Sequence, residues 1–404
     1  MAMRTVDLIP NSTVLVGRNL FQLIAKQVAN QLPNTSKICL VSDQNVAKLY
    51  LEKLVQAFQD NSNFRHVQNP DQANLSDKII ITYVVIPGED SKSRKTKADV
   101  EDFMLQFKCN RDTCMIALGG GVVGDLVGFV AATYMRGVPV IQIPTSSTAM
   151  IDSSVGGKTA INVPAGKNLI GAFHQPKRVY ADLDLLATLG KRELVEGIAE
   201  AIKMGCIRHS SLFDVLESQP SRIMSLDDEL IEQVIYESIL NKAQVVLADE
   251  REAGLRSTLN WGHTIGHAIE ALMSPAMMHG ECVSVGCVVE AELSRRMGND
   301  TLTREKIDRI AACFQAYGLP VHAPKLCIET LEKKMALDKK NQGNTIRCTI
   351  VTDIGTSMTN PQPVEKSLVA MVLSESMEKG AALPPWRPHV GSVAELPAGG
   401  QMSN

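Results

Sequence analysis

Along the first third of the chain, apolar runs of strand length alternate with stretches of helical period. The runs are Ile38 to Ser42, Ile79 to Ile86, Met115 to Leu118 and Val138 to Ile143, and the helical stretches include Asn45 to Gln59 and Lys97 to Phe107. Alternation of this kind predicts a parallel sheet covered by helices. From about Leu186 the period is helical almost throughout, over Lys191 to Met204, Leu226 to Ala248, Ser257 to Leu272, Gly280 to Met297 and Thr303 to Tyr317. The expected architecture is an α/β domain over residues 1–190 and a mostly α-helical domain over 191–377. A short apolar segment, Thr345 to Val351, reads as a strand closing the second half. Beyond Glu378 the chain is rich in Pro, Gly and Ala without period, which predicts a disordered tail or linker over 378–404.

Composition narrows this picture without redirecting it. A length of 404 residues suits two domains, each able to bury a core. The apolar fraction of 45 % and charged fraction of 21 % are ordinary for a soluble globular protein, and the net charge of −3 gives no reason to expect nucleic acid or an anionic membrane as partner. The nine cysteines are scattered and lack any Cys-x-x-Cys, which fits reduced thiols in a cytosol better than a disulfide framework. No apolar run reaches the roughly 18 residues that a membrane span needs, and the amino terminus has no uninterrupted apolar segment. A soluble, cytoplasmic protein is expected.

Several segments carry candidate chemistry. Met115 to Asp125 runs from an apolar strand into Gly119-Gly-Gly121 and then a helix-like stretch, so backbone N–H groups and a helix N-terminus could hold a phosphate. Gly119, Gly121 and Gly124 fit Gly-x-Gly-x-x-Gly, a pattern that a simple packing turn also produces. Asp43 ends the first strong strand, where it could accept hydrogen bonds from a ribose or act as a helix N-cap. With the glycines it points to a dinucleotide. The turn Pro87 to Lys92 offers Glu89 and Lys92. Between Arg136 and Asn168 the chain places Asp152, Lys158, Lys167 and other polar groups among apolar runs, which suits a pocket for an anionic, polyhydroxylated substrate better than a solvated surface.

The best metal-site candidate lies between Arg251 and Glu281. Asn260, His263 and His267 are three and four residues apart, so a continuous helix would stack them on one face, and His279 follows after a Pro-containing break. A hydrogen-bonded histidine pair near a core is an equal reading of that spacing. Glu200 and Lys203, also sharing a helical face, read either as an ordinary ion pair or as a carboxylate ligand with a substrate-facing lysine.

Taken together, Gly119 to Asp125, Tyr134-Met-Arg-Gly137, Asp152-Ser-Ser-Val-Gly-Gly-Lys-Thr-Ala-Ile-Asn162, Gly166-Lys-Asn-Leu-Ile-Gly171, Glu200-x-x-Lys203, Asn260-x-Gly-His263-x-x-Gly-His267 and His279-Gly-Glu281 resemble 3-dehydroquinate synthase over about residues 10 to 360. Pro87 to Lys97, Asn260 to His263 and Met335 to Asn341 are most similar to the version at the amino end of the pentafunctional shikimate-pathway polypeptide. The resemblance implies an enzyme converting 3-deoxy-D-arabino-heptulosonate 7-phosphate to 3-dehydroquinate and phosphate. It implies NAD+ and Zn2+, with Co2+ as an alternative ion, and a homodimer. Zinc would be held by Glu200, His263 and His279, so that His267 passes to the substrate. NAD+ would meet Asp43, Asn45, Glu89, Lys92, Gly120, Gly121, Val122, Asp125, Thr145, Ser146, Asp152, Lys158, Lys167 and Thr188. Substrate would meet Arg136, Asp152, Lys158, Asn168, Lys203, Lys242, Arg256, Asn260, His267, His279 and Lys339. Of these, Lys158, Lys203, Arg256, Asn260 and His267 would be catalytic.

One segment departs from the family pattern. Where the family has Pro-Thr-Thr-Leu-Leu-Ala, this chain has Pro144-Thr-Ser-Ser-Thr-Ala149, which is expected to alter cofactor affinity through Ser146, Ser147 and Thr148. Three competing readings follow from the same residues. A sister cyclase would act on sedoheptulose 7-phosphate, a polyol dehydrogenase would release NADH to solution, and a silent scaffold would bind no zinc.

Overall fold

The computed structural model describes residues 3–9, 12–75, 77–336 and 345–380. Lys339 and the segment expected to form a tail, past residue 380, lie outside them. The amino-terminal half is built on an eight-stranded sheet in the order β1-β2-β10-β7-β6-β3-β5-β4. Its strands are β1 Arg4–Ile9, β2 Ser12–Gly17, β3 Lys37–Asp43, β4 Arg65–His66, β5 Ile79–Val85, β6 Cys114–Gly119, β7 Val140–Pro144 and β10 Arg178–Asp182. All pairings are parallel except the β1–β2 hairpin at one edge. The central strands are buried on both faces, which is why they read as continuous apolar runs. Helices α1 Phe21–Gln31, α2 Gln44–Val46, α3 Glu52–Asn61, α4 Arg94–Gln106 and α5 Gly121–Thr133 cover it.

Strand order fixes where a ligand can enter. From β3 the chain crosses to β5 on one side and returns to β6 on the other, so the carboxyl ends of β3 and β6 flank a topological switch point. Those ends are Asp43 and Gly119.

The segment 158–173, read from sequence as a polar pocket lining, is an antiparallel hairpin of β8 Lys158–Val163 and β9 Gly166–Phe173. It packs across α5, where a Cβ on Gly128 would stand 2.4 Å from Thr159 Cγ2. The hairpin thus lies along α5, and near its tip Asn162 N donates to the Lys92 carbonyl at 2.7 Å, just past β5.

The second half is helical: α6 Lys191–Arg208, α7 Ser210–Ser218, α8 Pro220–Met224, α9 Asp228–Ala248, α10 His263–Met273, α11 His279–Arg296, α12 Arg304–Ala316, α13 Ile328–Met335 and α14 Lys366–Lys379. The late apolar segment is split into β11 Ile346–Cys348 and β12 Val351–Asp353. These pair in two small hairpins with β14 Gln362–Val364 and β13 Thr356–Ser357 respectively. Among the described residues no helix is long and apolar enough to cross a membrane, and all nine cysteines are free.

The expected helix over Ser257 to Leu272 is interrupted. Leu255–Asn260 is a 3₁₀ segment, Gly262 takes φ +77°, and α10 starts only at His263. Glycine is needed there twice over, since a Cβ would also stand 2.4 Å from Cys287 Sγ. In place of a local cap, the buried Glu290 carboxylate of α11 accepts from Gly262 N at 2.8 Å and Ile265 N at 3.2 Å. Asn260 therefore does not stack with His263 and His267 on one helix face.

Candidate active site

Two helices and a helix start bring the metal-ligating candidates together. α6 presents Glu200, α10 presents His263 and His267, and α11 opens with His279. The helices approach closely at Gly286, where a Cβ would stand 1.9 Å from the Gly262 carbonyl oxygen. One nitrogen from each of the three histidines lies within 4.8 Å of the others. Glu200 Oε1 is 3.2 Å from His279 Nε2 and 3.6 Å from His263 Nε2. Ligands about 2.0–2.1 Å from one tetrahedral ion stand about 3.3 Å apart, so these separations fit a single bound zinc or similar ion.

The surroundings prepare these ligands. His263 Nδ1 is hydrogen-bonded to the Trp261 carbonyl at 3.0 Å, and His279 Nδ1 to Glu270 Oε2 at 2.9 Å. Both bonds leave Nε2 facing Glu200. Burial and then Lys203 hold the His263 imidazolium well below its usual range, so the ring is neutral and able to ligate. Burial would raise the Glu200 carboxyl, but Lys203, His279 and His263 outweigh it and hold it well below the ordinary carboxylate range. Lys203, buried beside Glu200, ion-pairs with its Oε2. One turn earlier on α6, Glu196 accepts from Gly280 N at 2.7 Å, and burial pushes its carboxyl up to about 7.

A ring of charged side chains borders this cluster. Lys242 of α9 donates to Asp152 Oδ1 at 2.6 Å. Lys158 donates to Glu252 Oε2 at 2.6 Å, and Asn260 donates to Glu252 Oε1 at 2.8 Å. Arg256, 2 % exposed, donates to the Gly156 carbonyl at 2.9 Å. Glu252 was not among the residues singled out from sequence. It takes φ +61°, and no motif or period marks it. Its carboxylate nevertheless joins two residues expected to bind substrate anions.

Across the cleft, β6 runs through Gly119 and Gly120 into α5, whose first residue is Gly121. A Cβ on Gly120 would stand 3.4 Å from Ser146 Oγ, and one on Gly121 would stand 3.0 Å from Ser153 Oγ. Thr145 N donates to the Gly119 carbonyl at 3.0 Å. Asp43 caps the next helix, accepting from Asn45 N at 2.9 Å and Val46 N at 3.1 Å. Buried Lys92 bridges Asp125 and Asn168, at 2.5 Å from each. Glu89 accepts from Asn162 at 2.6 Å, and Thr188 pairs with Tyr50 at 2.6 Å. A glycine turn at a helix N-terminus, with Asp43 at the end of the neighbouring strand, suits the diphosphate and ribose of a dinucleotide.

The family models for the N-terminal and C-terminal parts of 3-dehydroquinate synthase match residues 82–196 and 197–341. The chain belongs to the 3-dehydroquinate synthase family. It is 43 % identical over 380 residues to pentafunctional AROM polypeptide 1 of Lodderomyces elongisporus, covering 88 % of this chain and 24 % of that one. It thus spans about a quarter of the length of the curated relatives it matches. Its fold is shared by a 2-deoxy-scyllo-inosose synthase, solved with carbaglucose-6-phosphate, NAD+ and Co2+ (TM-score 0.81, 22 % identity, 93 % of this chain and 100 % of that one). It is also shared by a 2-epi-5-epi-valiolone synthase from Streptomyces hygroscopicus, solved with NAD+ and Zn2+ (TM-score 0.79, 24 % identity, 94 % and 99 %).

Arg136 stands exposed beyond the carboxyl end of α5, about 20 Å of helix from Gly121. One expectation from the departure at Pro144 to Ala149 is revised by the structure. Ser146 lies at the glycine turn as expected, but Ser147 faces the other way. Fully buried, its hydroxyl bonds the carbonyls of Glu193 at 2.8 Å and Leu194 at 2.9 Å and accepts from Gly197 N at 3.2 Å. It therefore ties the loop after β7 to the start of α6. Ser147→Leu, the family's residue, should destabilise this chain by about 2 kcal/mol through overpacking against Gly197 and loss of those bonds. A lower urea midpoint at unchanged slope would show it, and an unchanged midpoint would refute it.

Proposed function

We propose that this chain is a 3-dehydroquinate synthase, converting 3-deoxy-D-arabino-heptulosonate 7-phosphate to 3-dehydroquinate and phosphate as a carbon–oxygen lyase of the shikimate pathway. The observation that carries the proposal is the convergence of Glu200, His263 and His279 at single-ion separations, bordered by Lys158, Lys203, Lys242, Arg256 and Asn260. The reading includes a cofactor domain over 1–190, a metal domain over 191–377, a cytosolic location suited to free thiols, and a homodimer. The homodimer rests on family resemblance alone.

Glu200, His263 and His279 would hold zinc, and Asp43, Glu89, Lys92, Gly120 to Val122, Asp125, Thr145 and Ser146 would surround NAD+. When bound, the ion supplies Lewis acidity at a pair of substrate hydroxyls and the nicotinamide reversibly accepts a hydride. The protein groups do the rest. Lys158, Arg256 and Asn260 bind the substrate's anionic ends, displacing the internal carboxylate of Glu252 from Lys158 and Asn260. Lys242, whose ammonium is lowered by burial despite Asp152, and Lys203 offset negative charge that develops beside the metal ligands. His267, at the exposed edge of the histidine cluster, is placed to carry a proton between substrate and solvent.

The test is phosphate release from 3-deoxy-D-arabino-heptulosonate 7-phosphate with NAD+, with and without chelator, while NADH absorbance is followed. Chelator-sensitive release without accumulating NADH is expected. Accumulating NADH would indicate a dehydrogenase, and no release would redirect the assay to sedoheptulose 7-phosphate.

A further inference from the structure

One ion-paired chain crosses from the cofactor half to the metal ligands. Lys167 sits at the tip of the β8–β9 hairpin, and its Nζ is 2.7 Å from Glu270 Oε1. The other oxygen of the same carboxylate, Glu270 Oε2, is 2.9 Å from His279 Nδ1. The opposite nitrogen of that ring faces Glu200 at 3.2 Å. Glu270 is largely buried, with 14 % of its side chain exposed, and it shares the α10 face with His263 and His267 at spacings of seven and three residues. A carboxylate with each oxygen committed to a different half of the molecule is more than a surface ion pair.

We infer that Glu270 is a positioning residue for the metal ligand His279, and that Lys167 sets Glu270, so that the cofactor-side hairpin is latched to the metal site. The inference rests on the metal reading above. A carboxylate on the far nitrogen of a ligating imidazole fixes its tautomer and orientation and makes it a stronger donor. Lys167 holds that carboxylate in one rotamer by occupying its second oxygen. Two consequences follow. Loss of Glu270 weakens the metal without touching any ligand, and loss of Lys167 does so to a smaller degree through a residue on the opposite half of the fold. By linkage, anything that draws the hairpin away from α10 weakens metal binding to the same extent that the metal resists that movement.

The experiment measures affinity of the full chain for Zn2+ alone, by competition with a chromophoric chelator and without NAD+ or substrate. It is paired with the visible d–d spectrum of the Co2+-loaded protein. Glu270→Ala is expected to weaken Zn2+ binding about 10- to 100-fold and to alter the Co2+ spectrum. Glu270→Gln, which keeps the shape and a carbonyl acceptor for His279, should lie between it and the parent and covers the case in which the alanine variant does not fold. Lys167→Met is expected to cost a smaller factor in the same direction. His263→Ala should lose binding altogether. If His263→Ala loses the ion while Glu270→Ala and Glu270→Gln bind it with parental affinity and spectrum, the positioning role is overturned and the metal site stands. If the parent binds no ion, both readings fall.

Discussion

Glu200→Gln should reduce phosphate release by about 10³-fold or more and leave the purified protein without stoichiometric zinc. Lewis-acid stabilisation is worth several kcal/mol, and each 1.36 kcal/mol is a factor of ten in rate. Glutamine keeps the volume of the side chain, so the packing of α6 against α10 and α11 is preserved. The charge is not. Lys203 is 2 % exposed, and burial opposes its ammonium; Glu200, followed by Asp152, outweighs that and holds its pKa above the usual value. Removing Glu200 leaves this ammonium without its main partner, a loss of about 3 kcal/mol for a buried pair broken on one side. The sign of its pH dependence follows from the raised folded pKa. Stability conferred on a raised lysine is fully present below the unfolded pKa and disappears only as pH rises through the folded one. Glu200 also accepts from His279 and raises its pKa well above the usual value, so the stability gap between the parent and Glu200→Gln, measured in metal-free protein, should be largest at about pH 6 and narrow as pH rises and the imidazolium is lost. Parental zinc content with parental turnover in the variant would remove Glu200 from the metal site.

What could be read from residues alone divides along physical lines. Strands β3, β6 and β7 were legible because burial on both faces demands unbroken apolar runs, and β5 because its first three residues are buried in the same way. The β8–β9 hairpin was not, since its polar residues face a cleft and not a core, and Lys158, Asn162, Lys167 and Asn168 disguise its alternation. The histidine spacing suggested one long helix, but the break at Gly262 is dictated by contact with α11, a tertiary fact with no local signal beyond the glycine itself. His263 and His279 could be grouped from the sequence and Glu200 offered as a carboxylate ligand, but only the family resemblance put Glu200, in place of His267, in one ligand set with them. Glu270 could have been found from sequence, because its spacing from His263 and His267 puts it on their face. Glu252 could not, because its position between Lys158 and Asn260 depends on a turn with left-handed backbone. The apparent cofactor-site substitution at Ser147 shows the opposite error, in which a residue adjacent to a site in sequence points out of it in space.

Lys242→Met should lower phosphate release about 10²- to 10³-fold and also destabilise the chain, and the two losses can be separated. Lys242 is 5 % exposed and donates to both the backbone carbonyl and the carboxylate of Asp152. Lys242 outweighs burial and keeps the Asp152 carboxyl below its ordinary range, so removing the lysine strands a charge. A fully buried pair broken on one side costs about 3–5 kcal/mol. The Asp152 side chain is 31 % exposed, and water reaching it reduces the expected loss to about 2 kcal/mol. Adding Asp152→Asn removes the stranded charge, so the double variant should recover at least about 1 kcal/mol relative to the sum of the single losses. Its activity should not recover, because the missing ammonium is needed against charge that develops on the substrate, and a single electrostatic donor of this kind is worth about 10²- to 10³-fold. Urea midpoints and phosphate-release rates on the same four proteins decide the matter. Activity returning along with stability would make the pair a structural ion pair, and stability that merely sums would mean that Asp152 is held by groups other than Lys242. A rate deficit in the restabilised double variant that is deeper than that of Asp152→Asn alone is the outcome that places Lys242 in the chemistry itself.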